Sequence, residues 1–103
     1  MRVVGKIVEE ESGKPLAGLQ VRAFDKDILF DDKLGVAITD AKGEFRIDYS
    51  NTQYSFMIET SPELYVRVHD AKGKLLFTSK KAIRKDPQTE ERYDIKIPKA
   101  KLA

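Results

Sequence analysis

The chain has 103 residues, 41% of them apolar and 35% charged, with a formal charge of +2. That length gives one domain, which buries ~60–65% of the surface its unfolded chain exposes, and the composition is globular rather than disordered. The near balance of acids and bases gives little steering toward nucleic acid, and the absence of cysteine excludes disulfides, thiolate metal sites and cysteine nucleophiles.

The chain opens on "RVVGKIVEE", a candidate strand that lacks the apolar stretch of a signal peptide. No run approaches the ~18–20 apolar residues that span a bilayer. The expectation is a soluble domain without a signal peptide or membrane span, its localisation otherwise open; a module of a larger exported protein has the same look. Next, "ESGKPLAG" clusters Gly13, Pro15 and Gly18 into a turn that keeps Pro15 out of any ladder. In "LQVRAFD", Leu19, Val21 and Ala23 share one face and Gln20 and Arg22 the other, the alternation of a half-buried strand.

The stretch "FDKDILFDDKLG" carries the strongest chemical signal. Asp25 and Asp27 alternate at a strand end, Asp31 and Asp32 follow, and Asp40 opens a later turn. A hard cation such as Ca²⁺ takes six to eight oxygens, and carboxylates at i and i+2 with more from the next loop supply part of such a shell. The five aspartates are therefore candidate Ca²⁺ ligands, against the alternative that they solvate a loop and cap turns. Between the acidic pairs, Ile28, Leu29 and Phe30 form an apolar run that a solvated loop does not require. They either plug one end of the core or contact a partner.

Strands continue at "GVAITD" and "EFRIDYS", the latter with Phe45, Ile47 and Tyr49 inward, and at "QYSFMIE". After a break at "TSPE", "LYVRVHD" places Leu64, Val66 and Val68 inward against Tyr65, Arg67 and His69, and "KLLFTS" follows. The tetrapeptide "DAKG" joins strand pairs twice, at Asp40 to Gly43 and Asp70 to Gly73. In each copy the aspartate accepts a backbone hydrogen bond from two residues on, and the glycine takes the positive φ of a hairpin corner. A phosphate cradle would lead into a helix, and neither copy does. "SKKAIRKDPQTEER" reads as a charged loop, without the aromatics or recognition helix of a nucleic-acid site. "RYDIKIP" closes the domain with Tyr93, Ile95 and Ile97 inward, and residues 99–103 form a flexible tail beyond a domain of residues 1–98. About seven to eight short alternating strands without a helical stripe predict an all-β, antiparallel sandwich.

These segments carry a resemblance. "GKIVEEESGKPLAGLQVRAFDKD", "DDKLGVAITDAKGEFRIDY" and "ELYVRVHDAKGKLL" are similar to the transthyretin-like, carboxypeptidase regulatory-like domains, also called prealbumin-like. Within that group the chain most resembles modules of large bacterial multidomain surface or toxin-like proteins. The resemblance implies a Greek-key β-sandwich without catalysis, acting as a structural or protein-binding module whose partner is another protein or the neighbouring domains of a larger chain. A calcium-dependent binding module is the alternative, and a small hydrolase a further one. The hydroxyisourate hydrolases share the wider fold, but their C-terminal Tyr-Arg-Gly-Ser signature is missing from "ERYDIKIPKAKLA", and their histidine set has no counterpart beyond His69, the one histidine. His69 shares the parity of Arg67 and Tyr65, as a partly exposed sheet residue does, rather than that of a general base. No cofactor is expected apart from the Ca²⁺ of the alternative reading. Charges on both terminal strands oppose open-ended edge pairing, so a monomer or weak dimer is expected.

Overall fold

The computed structural model describes residues 1–27, 31–50 and 62–103. Eight strands occur among them: β1 (Arg2–Glu9), β2 (Gln20–Asp25), β3 (Asp32–Ile38), β4 (Glu44–Asp48), β5 (Glu63–His69), β6 (Leu75–Thr78), β7 (Arg84–Lys85) and β8 (Glu90–Ile97). They form two sheets, one ordered β4-β1-β8 and the other β3-β2-β5-β6, with β7 also paired to β5. The chain thus crosses between layers after β1, β3, β4 and β7, and the expected all-β sandwich is present. The expected strand "QYSFMIE" and the apolar run Ile28, Leu29 and Phe30 lie outside the described residues.

Period two built the core as read. Val21, Ala23, Phe45, Ile47, Tyr49, Leu64, Val66, Val68, Tyr93, Ile95 and Ile97 are all buried, joined by Val3, Ile7, Leu34 and Leu76. At Gly5, opposite Phe45 and Tyr93 in the register, an added Cβ would collide with the Tyr93 carbonyl and the Phe45 ring. The first strand therefore needs glycine there so that the Phe45 ring can lie across it.

Three details depart from the sequence reading. First, β1 and β8 run parallel, Arg2 opposite Glu90 through Glu9 opposite Ile97, whereas every other pair is antiparallel. Hairpin-linked strands must be antiparallel, but these two are linked through the whole domain and are free to align. Second, Pro15 is not clear of pairing. It forms an isolated bridge to Val8, with the hydrogen bonds made by its neighbours, Glu9 N–H to the Lys14 carbonyl at 2.8 Å and Leu16 N–H to the Ile7 carbonyl at 3.0 Å, so its missing N–H costs nothing. Third, Lys99–Leu102 makes one helical turn, and Leu102 packs against the core.

The two DAKG corners are built alike. The Asp40 carboxylate accepts from the Lys42 and Glu44 amides at 2.9 Å each, and the Asp70 carboxylate from the Lys72 and Lys74 amides at 2.9 Å each. Gly43 and Gly73 have φ of 74° and 87°. These bonds hold the Asp70 carboxyl below its usual pKa, the Lys74 amide contributing most.

Candidate functional site

The sandwich has two outer faces, and their chemistry differs. On the β4-β1-β8 sheet, arginines alternate with acids and each is compensated. Arg2 pairs with Asp48 at 3.2 Å and Glu90 at 3.3 Å, Arg46 with Asp48 at 2.9 Å, and Arg92 with Asp94 at 3.0 Å. Exposed pairs of this kind add little stability, but they leave the face locally neutral and polar. An open cleft of about 410 Å³ at its margin, where Arg46, Arg92, Asp40 and Glu44 meet Val4 and Ile38, joins this face to the edge strand β3.

The outer face of the β3-β2-β5-β6 sheet is apolar and cationic. Its register sets Gln20 of β2 opposite His69 of β5, Arg22 opposite Arg67, and Phe24 opposite Tyr65. On the β3 side Ile38 lies beside Gln20 and Val36 beside Arg22; on the β6 side Leu75 lies beside His69 and Thr78 beside Arg67. Val36, Ile38 and Leu75 are 48%, 58% and 46% exposed. These three, with Met1, are the exposed large hydrophobics among the described residues, and three of the four gather on this face.

Arg22 and Arg67 make no ion pair with the described residues, and the Arg22 Nε and His69 Nδ1 atoms are buried without a hydrogen-bond partner among them. Burial, then the adjacent charges of Arg22 and Arg67, push the His69 pKa down, opposed by Asp70. Like charges directly opposite one another on a sheet are unfavourable. Here the fold tolerates two, with a histidine on the same face.

At the other end of this face, Tyr65 departs from the sequence reading. Its parity is outward as expected, yet it is fully buried. Its ring stacks on Phe24 with centroids 5.2 Å apart. The Arg67 guanidinium lies 5.3 Å from the Phe24 centroid and 5.6 Å from that of Tyr65, and Lys80 Nζ sits 5.6 Å from the Tyr65 centroid, an arrangement favoured by the ring quadrupole. The Tyr65 hydroxyl donates to Asp31, which also pairs with Lys80 at 3.3 Å. Burial and then this bond push the Tyr65 hydroxyl up to about 12. Burial pushes the Asp31 carboxyl up, but the bonds from Tyr65, the Asp27 amide and Lys80 outweigh it and hold it below its usual value.

The five candidate Ca²⁺ ligands do not share one place. Asp25, on the inward parity of β2, is buried and accepts the Glu63 amide at 2.8 Å. Asp32 lies opposite Asp25 in the β2–β3 register, and the Asp27 amide donates to Asp31 at 3.2 Å. Those four therefore lie near one end of the sandwich. Asp40 lies beyond the far end of β3, ~20 Å away at the ordinary rise per strand residue. Among the described residues no three acids or histidines are grouped so as to hold a metal ion.

The basic segment is also more fixed than a free loop. Residues Lys80–Ala82 form a 3₁₀ turn, and Arg84–Lys85 pair with β5 as β7. Arg84 Nη1 donates to Glu91 Oε1 and the Arg92 carbonyl, each at 2.8 Å, over the Tyr93 ring at 3.8 Å.

Residues 12–98 match the model of the Transthyretin-like family. The chain belongs to the transthyretin-like family. Among solved structures it is similar to a 9R-lipoxygenase from Cyanothece PCC8801, with a TM-score of 0.62 and 22% identity over 91% of this chain and 16% of that one. That likeness is one of fold, and this transthyretin-like chain spans about a sixth of the lipoxygenase's length. No curated protein matches it. No helix among the described residues is long and apolar enough to cross a membrane.

Proposed function

We propose that this transthyretin-like domain is a non-enzymatic protein-interaction module of a larger assembly, and that it binds through the outer face of the β3-β2-β5-β6 sheet. The observation that carries this reading is the contrast between the two outer faces: paired charges on one, exposed Val36, Ile38 and Leu75 near two arginines without an ion pair among the described residues on the other. Exposed apolar groups gathered on one face mark interaction sites more often than the same groups scattered singly. Family membership supports a binding or structural role over catalysis. The surroundings of His69 support it too, since burial and the neighbouring charges of Arg22 and Arg67 disfavour its protonation and the nearby Asp70 carboxylate is engaged by two turn amides.

The reading is tested by placing a photoreactive amino acid at Ile38 or Val36 and, as a control, at Asp94 or Lys96 on the opposite sheet, in the protein expressed in its own cells. Protein adducts confined to the first pair are expected; equal adducts at both faces would reject it.

A further inference from the structure

Taking the domain as a protein-binding module, the arrangement of charge on the outer face specifies what it binds. Arg22 and Arg67 are register partners in an antiparallel pair, so their Cα atoms lie ~4.5–5.5 Å apart and both side chains leave the same face of the sheet, the Arg67 guanidinium lying toward Phe24 and Tyr65. A guanidinium fork matches a carboxylate bidentately. Val36 lies beside Arg22 on the β3 side and Thr78 beside Arg67 on the β6 side, while Ile38 and Leu75 flank the next outward row, Gln20 and His69, ~7 Å along the strands. Ile38 and Leu75 stand three strand spacings apart, ~14–15 Å, a distance bridged by about four to five residues of extended chain.

We propose that the Arg22–Arg67 pair is the recognition centre for a protein segment that presents a carboxylate flanked on both sides by apolar side chains. The carboxylate supplies the compensation that the opposite sheet obtains from its own acids, and the flanking groups cover Val36, Ile38 and Leu75. A protein is favoured over a nucleic acid because the aromatic rings here are not open to bases. Tyr65 is fully buried, and Arg67 and Lys80 lie over the rings, whereas single-strand binding relies on exposed stacking platforms. Aliphatic flanks also suit leucine-like side chains better than phosphates.

The test is an NMR titration of the ¹⁵N-labelled domain with the peptide Leu-Ser-Glu-Ser-Leu, in which leucine, glutamate and leucine face the same way in an extended chain. Controls are the same peptide with glutamine or lysine for glutamate, and inorganic polyphosphate and single-stranded DNA. Shifts centred on the Arg22 and Arg67 amides and extending to those of Val36, Ile38 and Leu75 but not to the opposite sheet, and at least tenfold weaker binding of the glutamine peptide, are expected. The His69 ring pKa should rise in the complex, a signature that a purely apolar contact would not produce. Arg22→Gln and Arg67→Gln, each confirmed folded by its own spectrum, should lose the interaction. Equal binding of the glutamine peptide, no shifts at millimolar glutamate peptide, or tighter binding of polyphosphate or DNA at this face would overturn the proposal. Photo-adducts at Ile38 that persist in Arg22→Gln and Arg67→Gln would also overturn it, while leaving the protein-binding reading intact.

Discussion

Arg22 and Arg67 stand directly opposite each other in the β2–β5 pair, two like charges without an acid between them among the described residues. Opposed like charges cost a sheet a few tenths to ~1 kcal/mol. Arg22→Gln should therefore leave the domain as stable or more stable, by up to ~1 kcal/mol in urea unfolding. Marked destabilisation would show that Arg22 is held by partners within the fold instead. Arg67 is the poorer choice for this measurement, since its removal also loses the contacts with Phe24 and Tyr65.

His69 reports on the same charges. Its pKa is lowered from the ordinary 6.5 by burial and by Arg22 and Arg67, with Asp70 opposing. The unfolded chain therefore takes up this proton at a higher pH than the native state. The resulting stability is fully present above ~6.5 and is lost as pH falls from there through the lower native value. His69→Gln should flatten that part of the stability profile, and in Arg22→Gln the ring of this single histidine should titrate higher by NMR. A ring pKa at or above 6.5 in the unaltered domain would contradict the account.

Much of the fold was legible because side chains on a strand alternate strictly. Leu19, Val21 and Ala23, or Phe45, Ile47 and Tyr49, could be assigned to the core from spacing alone. The DAKG corners were legible for a similar reason, since Asp40 and Asp70 bond to amides within four residues along the chain. The candidate surface was not. Parity says that Arg22, Arg67, Tyr65 and His69 point away from the core, but only the register between β2 and β5, set by packing of distant segments, puts Arg22 against Arg67 and Phe24 against Tyr65. Parity also gives a residue's face and not its cover, which is how Tyr65 comes to be outward and buried. Strand direction is likewise invisible in alternation, and so the parallel β1–β8 pair was missed.

The two DAKG copies, identical in sequence, should respond differently to one substitution. Both glycines have positive φ, so alanine costs ~1–2 kcal/mol at either. At Gly73 an added Cβ meets nothing, but at Gly43 it would strike the Ile7 carbonyl and approach the Leu16 amide at 3.1 Å. Gly43→Ala should therefore cost a further ~1–3 kcal/mol from overpacking. Equal losses for the two variants in parallel denaturant titrations would mean that the first corner is not packed against β1 as described.

The acidic end of the sandwich is tested by calcium and by truncation of Asp25. Because Asp25 and Asp31 already accept hydrogen bonds from the protein, millimolar Ca²⁺ should leave the melting temperature unchanged. A site filled at about a hundred times its dissociation constant would instead add ~2.7 kcal/mol, and a chelator-reversible rise would establish one. Asp25→Ala should cost ~1.5–3 kcal/mol with or without Ca²⁺, as the Glu63 amide loses its charged acceptor.

The central claim, that the domain binds protein through its apolar and cationic outer face, is tested most directly by photo-crosslinking from Thr78, beside Arg67 on that face, with Val36 and Ile38 changed to glutamate. Both side chains are about half exposed, so the double variant should fold and melt normally. Crosslinks from Thr78 to the partner should fall at least tenfold, while Lys96 on the opposite sheet gives none in either protein. Undiminished crosslinking from Thr78 in a folded double variant, or crosslinks from Lys96 that match it, would contradict the account.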